Sequence, residues 1–212
     1  MAKRGIAIRG GVLDQSIVVT LNQWAATQPL IKQLVYLIAE RSVFLLPVVL
    51  GILWLWPGPT ITQRRQAVVA GLLAAIIGLL LDEAIGRLLY RPRPFMALPI
   101  ASLFAHAADT SFPSGHTIFG VALMGPLLWN RLRVGAWLVL WAIIIGIARI
   151  AAGVHYPSDV ISSIILAAVI SGTTVRVASY LTAHLRFLRR ATADQGQGDA
   201  KYGNVTMRGI DT

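Results

Sequence analysis

His155 and Asp159 stand four residues apart with Pro157 between them. On one helical turn the carboxylate can accept a hydrogen bond from the imidazole Nδ1–H, which fixes the tautomer and frees Nε2 as a nucleophile or base. The start of a helix also favours an ionised Asp159. A second polar stretch, residues 107–117, carries Asp109, Pro113, Ser114, Gly115 and His116. Pro113 reads as a helix breaker and Ser114 as the N-cap of a helix running on from Gly115. The free N–H groups and partial positive charge of such a helix start suit an anion such as phosphate. His116, in that first turn, is placed to donate a proton to a leaving oxygen. Arg93 and Arg149 are permanent cations able to hold phosphate oxygens in pairs. Arginines, helix-start amides and two histidines together describe a phosphoryl-transfer site.

Plainer readings compete with this one. Any single member of the set could be an interfacial charge that merely ends a helix. A zinc site would also use histidines. Against zinc, no two of these positions make a His-x-x-x-His or His-Glu-x-x-His pair, and the arginines would repel a cation. The expectation is no metal and no cofactor. Glu40 and Arg41 interrupt an apolar run, where charge is costly, so Glu40 is a candidate accessory to the site. The alternative for that pair is an ion pair where a helix enters the membrane. Asp82 and Glu83 read as structural partners of Arg87.

The elements that must position these residues are membrane helices. Of 212 residues, 56% are hydrophobic and only 13% charged, where a soluble domain carries about 25% charged residues. Apolar runs near twenty residues predict an all-α polytopic transmembrane bundle. Five spans are expected: Leu30 to Trp56, Gln66 to Tyr90, Gly115 to Trp129, Val134 to Ile150 and Pro157 to His184. A sixth is added if Ile17 to Trp24 also crosses. The domain reading is 1–27, a basic start and a short interfacial amphipathic helix that Asp14 can cap, with Ile17, Val18, Leu21 and Trp24 on one side. The membrane domain follows at 28–190, and a polar disordered tail at 191–212. Cysteine is absent, which excludes a disulfide framework and a thiolate nucleophile.

The net charge is +10. Its arginines fall in short loops and the C-terminal stretch, a pattern of membrane topology and anionic headgroups and not of a nucleic-acid groove. Arg64/Arg65, Arg131/Arg133 and Arg186/Arg189/Arg190 occupy alternate loops and therefore one face, which the positive-inside rule makes cytoplasmic. The loops with Arg91, Arg93, His106, His116 and His155 then share the outer face. Lys3, Arg4 and Arg9 run against the rule if there are five spans.

Pro113-Ser114-Gly115-His116 and Arg149-x5-His155-x3-Asp159 resemble the second and third signatures of the type 2 phosphatidic acid phosphatase superfamily, and Arg93-Pro94 the end of the first. Pro92-Arg93-Pro94-Phe95, His106-Ala107-Ala108-Asp109, Ser111-Phe112-Pro113-Ser114 and His155-Tyr156-Pro157-x-Asp159 are similar to the bacterial undecaprenyl-diphosphatases of the bacitracin-resistance type. The resemblance implies a helical enzyme of the bacterial plasma membrane. It would remove the terminal phosphate of undecaprenyl diphosphate at the outer face, without metal, and so recycle a cell-wall lipid carrier. It makes His155 the nucleophile that forms a phosphohistidine, Asp159 its orienting partner and His116 the acid. Arg93, Ser114, the Gly115 amide and Arg149 would hold the phosphate. Two positions depart from the pattern. The first-signature lysine is replaced by Gly86 (or by Ala84, counting from Arg91), so that Arg87 or Arg91 would supply the missing charge. The serine before Arg149 is Ala148. His106 and Asp109 are further accessory candidates. Alternative functions are a phosphatase for phosphatidylglycerol phosphate or phosphatidic acid, and a non-catalytic phospholipid transporter. A soluble haloperoxidase shares the signatures, but the apolar spans exclude it. The partners expected are a polyprenyl diphosphate and the bilayer, with no nucleic acid; the sequence leaves the oligomeric state open.

Overall fold

The computed structural model describes residues 6–7 and 10–207, with side chains from 10 to 184. The chain divides into two compact units, Met1–Val175 and Arg176–Thr212. The first unit holds helices α1 (Val12–Thr27), α2 (Pro29–Tyr36), α3 (Leu45–Leu55), α4 (Ile61–Leu88), α5 (Pro94–Ala97), α6 (Gly115–Trp129) and α7 (Arg133–Ala151). Helix α8 (Pro157–Met207) begins in the first unit and makes up the described part of the second. Four stretches are long and apolar enough to cross a membrane: Pro29–Leu55, Ile61–Leu88, Arg133–Ala151 and Pro157–His184. Helix α6 is shorter, at 15 residues.

Helix α6 is apolar on every side and sits at the centre, which is where such a helix must go. Ile118, Val121, Ala122, Leu123, Met124 and Leu127 are all buried, against α3, α4, α7 and the first half of α8. Small residues bring the neighbours close, as in other membrane bundles. A Cβ at Gly71 of α4 would stand 2.3 Å from the Leu123 carbonyl oxygen, and one at Gly146 of α7 would stand 2.7 Å from Val160 Cγ1. Leu72, Leu73, Ile76, Ile77 and Leu80 form the exposed apolar face of α4, suited to lipid.

The first span is not one helix. Between α2 and α3 the chain makes a π-turn (Leu37–Arg41) and a 3-10 turn (Ser42–Phe44). The wider turn carries Glu40, and such turns are frequent at functional sites. The far end of α3 is closed by Arg64, a buried residue in the first turn of α4 that donates to the carbonyls of Leu53, Trp56 and Pro57. Gln63 reaches the Asn130 carbonyl at 2.6 Å, so the Arg64/Arg65 and Arg131/Arg133 turns do share one end.

The opposite end carries the polar loops, and the N-terminal segment lies there too. A two-residue strand β1 (Ile6–Ala7) pairs in parallel with β2 (Leu89–Tyr90), and an isolated antiparallel bridge joins Pro92 to Thr110, two small departures from an all-helical fold among the described residues. Helix α1 is tied to this end at both of its own ends. Asp14 bonds Ser158, and Asn22 donates to the carbonyls of Ala101 and Ala151 at 3.1 Å each. The helix therefore lies along the end of the bundle and does not cross it, which removes the sixth span.

Two expectations for α1 are corrected here. The N-cap of α1 is Gly11, and Asp14 sits inside the first turn with its carboxylate turned to Ser158. Helix α1 packs through Val18, Asn22 and Ala25, with Leu21 beside them, against an apolar surface that includes Leu103, Ile150, Ala151 and Val154, leaving Ile17 and Trp24 exposed. Helix α8 continues as far as Met207. Residues 208–212 lie outside the described residues.

Candidate active site

The polar end holds a cavity of about 270 Å³. Its lining includes Arg93, His106, Asp109, Gly115, His116, Arg149 and His155, with Asp82, Glu83, Gly86 and Arg87 from the last turns of α4. The sequence-predicted residues thus converge from five places: the end of α4, the start of α5 at Arg93, the irregular segment between α5 and α6, the start of α6, and the end of α7 with the connection to α8.

His155 lies just before α8 and is 2% exposed. Its Nδ1–H donates to the Ser111 carbonyl at 2.7 Å. Its Nε2 is then unprotonated and faces Arg93, whose Nη1 lies 3.3 Å away. Burial, then the charges of Arg149 and Arg93, push the His155 pKa well below the usual histidine value, so the ring is neutral around pH 7. The expected Asp159–His155 hydrogen bond is absent: Asp159 Oδ2 is 3.8 Å from Nδ1. Asp159 instead accepts the Tyr156 N–H at 2.8 Å and a bond from Arg91. The i, i+4 argument required both residues to be on the helix. Pro157 starts α8, so His155 is outside it, and the third helical residue reaches back to the N-cap amide as in a capping box.

Arg93 is held by three contacts: Nε to Asp109 Oδ1 at 2.7 Å, Nη1 to the Val154 carbonyl at 2.9 Å, and the His155 ring. Arg149, 1% exposed, donates from Nη1 to the Ala39 carbonyl and Glu40 Oε2, and from Nη2 to His106 Nε2 at 2.8 Å. Its Nε is buried with no hydrogen-bond partner among the described residues. His106 accepts from Arg149, and burial followed by the charges of Arg93 and Arg149 lowers its pKa. Glu40 lies 3.2 Å from Arg149 and 4.0 Å from His116 Nε2, so the π-turn does bring it to the edge of the site.

Two predicted residues are elsewhere. Ser114 is fully buried and does not line the cavity. Its Oγ is 3.0 Å from Thr117 Oγ1 and its N–H donates to Ser163 Oγ, so the hydroxyl is turned into the helix and not toward a phosphate. Arg91 is also buried away from the cavity, bridging Asp14 and Asp159. Of the two candidates for the missing first-signature cation, only Arg87 reaches the cavity, where it is exposed and pairs with Glu83 at 2.6 Å.

The Ser111 carbonyl was missed, and Asp82, read as a structural partner of Arg87, lines the cavity while Glu83 takes the arginine. A backbone carbonyl leaves no trace in residue type. Asp82 did carry a signal, a costly charge near the end of an apolar span. It and Gly86 lie one turn apart on α4, and the Asp82 carboxylate packs where a Cβ of residue 115 would be, 2.7 Å away. The absent side chain of Gly115 thus leaves room for the Asp82 carboxylate at the start of α6.

A membrane helix bundle with neutral His155, His116 and two arginines around a helix start defines a membrane-embedded phosphoryl-transfer protein. Residues 67–183 match the family model of the PAP2 superfamily, and the chain belongs to it. It is a multi-pass membrane lipid phosphatase of that superfamily. The chain is 35% identical over 133 residues to undecaprenyl-diphosphatase BcrC of Bacillus subtilis, covering 63% of this chain and 67% of that one. It is 33% identical over 149 residues to the bacitracin transport permease protein BcrC of Bacillus licheniformis, covering 69% and 71%. Among solved structures, Aquifex aeolicus LpxE superimposes with a TM-score of 0.59 at 25% identity, covering 81% of this chain and 99% of that one.

Proposed function

We propose that this protein hydrolyses undecaprenyl diphosphate to undecaprenyl phosphate and inorganic phosphate at the outer face of a bacterial plasma membrane. The observation that carries the chemistry is the state of His155: buried, neutral, with Nδ1–H held by Ser111 and its Nε2 lone pair in the cavity beside Arg93. Nε2 attacks the terminal phosphorus, the P–O bond to the lipid phosphate breaks, and the leaving oxygen takes a proton from His116. Water then attacks the phosphohistidine, with His116 as base, releasing inorganic phosphate and restoring His155. Arg93, Arg149 and the Gly115 amide hold the phosphoryl oxygens, the two arginines from the cavity wall. Asp159 acts through the backbone at Tyr156 and through Arg91. Arg87 is the candidate for binding the second phosphate. No cofactor enters this scheme.

The choice of lipid rests on the Bacillus subtilis relative and on the short sequence words shared with diphosphatases. The B. licheniformis relative's name favours a second reading, a transporter that binds phosphate with the same arginines. Phosphate release by purified protein from undecaprenyl diphosphate, phosphatidylglycerol phosphate and phosphatidic acid, side by side, separates these. Preference for the diphosphate is expected. Preference for another lipid changes the substrate, and absence of release from all three favours transport.

A further inference from the structure

Helix α1 lies outside the residues that match the family model, yet its first turn is bonded into the segment that carries His155. Asp14 Oδ1 accepts the Ser158 N–H at 3.0 Å. Its Oδ2 accepts the Ser158 hydroxyl at 2.5 Å and Arg91 Nη2 at 2.7 Å. Burial alone would raise the Asp14 pKa, but the bonds from Ser158 and Arg91 outweigh it and hold the group below the usual range, ionised.

Arg91 joins the two halves of this network. Its Nη1 donates to Ser158 Oγ at 2.7 Å and to Asp159 Oδ1. Its guanidinium lies 4.0 Å from the centre of the Tyr156 ring, a cation–π contact. The Arg91 carbonyl accepts the Ser111 N–H at 2.8 Å, and Ser111 in turn orients His155. A Cβ at Gly10 would stand 2.8 Å from Arg91 Nη2 and 3.2 Å from the Tyr156 ring, so the segment entering α1 is fitted against the same pair. Without Asp14 the buried guanidinium keeps Asp159 on Nη1 but is left with Nη2 unpaired and one carboxylate fewer to balance its charge. It must move, and the peptide that holds Ser111 moves with it.

We propose that Asp14 is a positioning residue for the phosphatase reaction: through Arg91 and Ser158 it fixes Ser111 and the start of α8 around His155, which makes α1 part of the catalytic unit. This rests on His155 being the nucleophile. Asp14 touches none of the residues that line the phosphate cavity, so its loss acts on the attack and not on phosphate binding. A misplacement near 1 Å of a reacting group costs about 10²-fold.

The test uses the purified full chain and four forms: wild type, Asp14→Ala, Asp14→Asn and His155→Ala. Phosphate release is read as kcat and KM, together with competitive inhibition by inorganic phosphate. Asp14→Ala should lower kcat about 10²-fold with KM and phosphate inhibition near wild type. Asp14→Asn keeps an acceptor for the Ser158 N–H and should fall between. If Asp14→Ala does not fold, the same split is read on Asp14→Asn. Wild-type kcat in the Asp14 variants beside an inactive His155→Ala overturns the proposal, as does an equal loss of kcat and phosphate inhibition, which marks general unfolding. An active His155→Ala overturns the nucleophile assignment itself, and the proposal with it.

Discussion

The Nδ1–H of His155 donates to the main-chain carbonyl of Ser111 at 2.7 Å. A side-chain acceptor can be mutated away, but this one cannot, and it presents Nε2 to the cavity whatever the state of Asp159. His155→Ala should therefore abolish turnover. His116→Ala should slow phosphoenzyme formation by the about 10²–10⁴-fold that general acid help is worth. Rapid-quench measurement of protein-bound phosphate distinguishes the two: none in the first variant, slow appearance in the second.

The neutral state of His155 sets the acid side of the pH dependence. Its folded pKa lies well below 6.5, so activity reported by kcat/KM should persist below pH 6.5 and fail only as the buried ring is protonated. The contribution of this histidine to stability has a definite direction too. Below about pH 6.5 the unfolded chain binds this proton and the folded chain does not, so stability falls as pH drops through that value and is regained as pH rises. The slope from one such histidine is at most about 1.4 kcal/mol per pH unit, and His106, also lowered, adds with the same sign. Thermal unfolding in detergent of wild type beside His155→Ala, between pH 7 and pH 5, isolates this contribution; wild type should lose more of its midpoint on acidification than the variant, and an equal or smaller loss contradicts it.

Much of the site was legible because residue type and chain order carry it. The arginines, histidines and the helix start at Gly115 were found from breakers, caps and charge, and the cavity gathers them. What was not legible depends on where a helix begins by one or two residues. His155 was read as helical, and the start of α8 at Pro157 leaves it outside, so Asp159 finds the Tyr156 amide in its place. Ser114 was read as a phosphate ligand, but its hydroxyl is turned to Thr117. The role of Arg91 depends on Asp14, 77 residues away, and no local pattern encodes such a pair. The spans were legible because length and hydropathy set them. The π-turn that aims Glu40 at Arg149 was visible only as two charges interrupting an apolar run.

Arg93 and Arg149 on the cavity wall, with no cysteine in the chain, argue for phosphate held by guanidinium groups and not by a metal. Activity should survive EDTA nearly unchanged. Vanadate, which takes up the five-coordinate geometry of the transferring phosphorus, should inhibit. Complete loss in EDTA with recovery on adding one divalent metal contradicts this.

The placement of β1 beside β2, and of α1 across the same end, puts the N-terminal segment on the side of the cavity. Arg64 and Arg131 mark the other end, which the positive-inside rule assigns to the cytoplasm. Single cysteines can be introduced without background, because the chain has none. Cysteines at Ala7 and Thr110 should react with a membrane-impermeant thiol reagent in intact cells, with any outer membrane opened. A cysteine at Asn130 should react only after lysis. The reverse pattern would place the cavity on the cytoplasmic side and rule out a lipid delivered outside the cell as its substrate.

The central claim is that the terminal phosphate of undecaprenyl diphosphate passes through His155. Purified protein given undecaprenyl diphosphate labelled in that phosphate, and quenched within one turnover, tests it directly. The label should appear on the protein in an acid-labile, base-stable form, map to His155 and then leave as inorganic phosphate, and His155→Ala should carry none. Label released as phosphate from wild type without passing through the protein, or protein label undiminished in His155→Ala, would contradict the account.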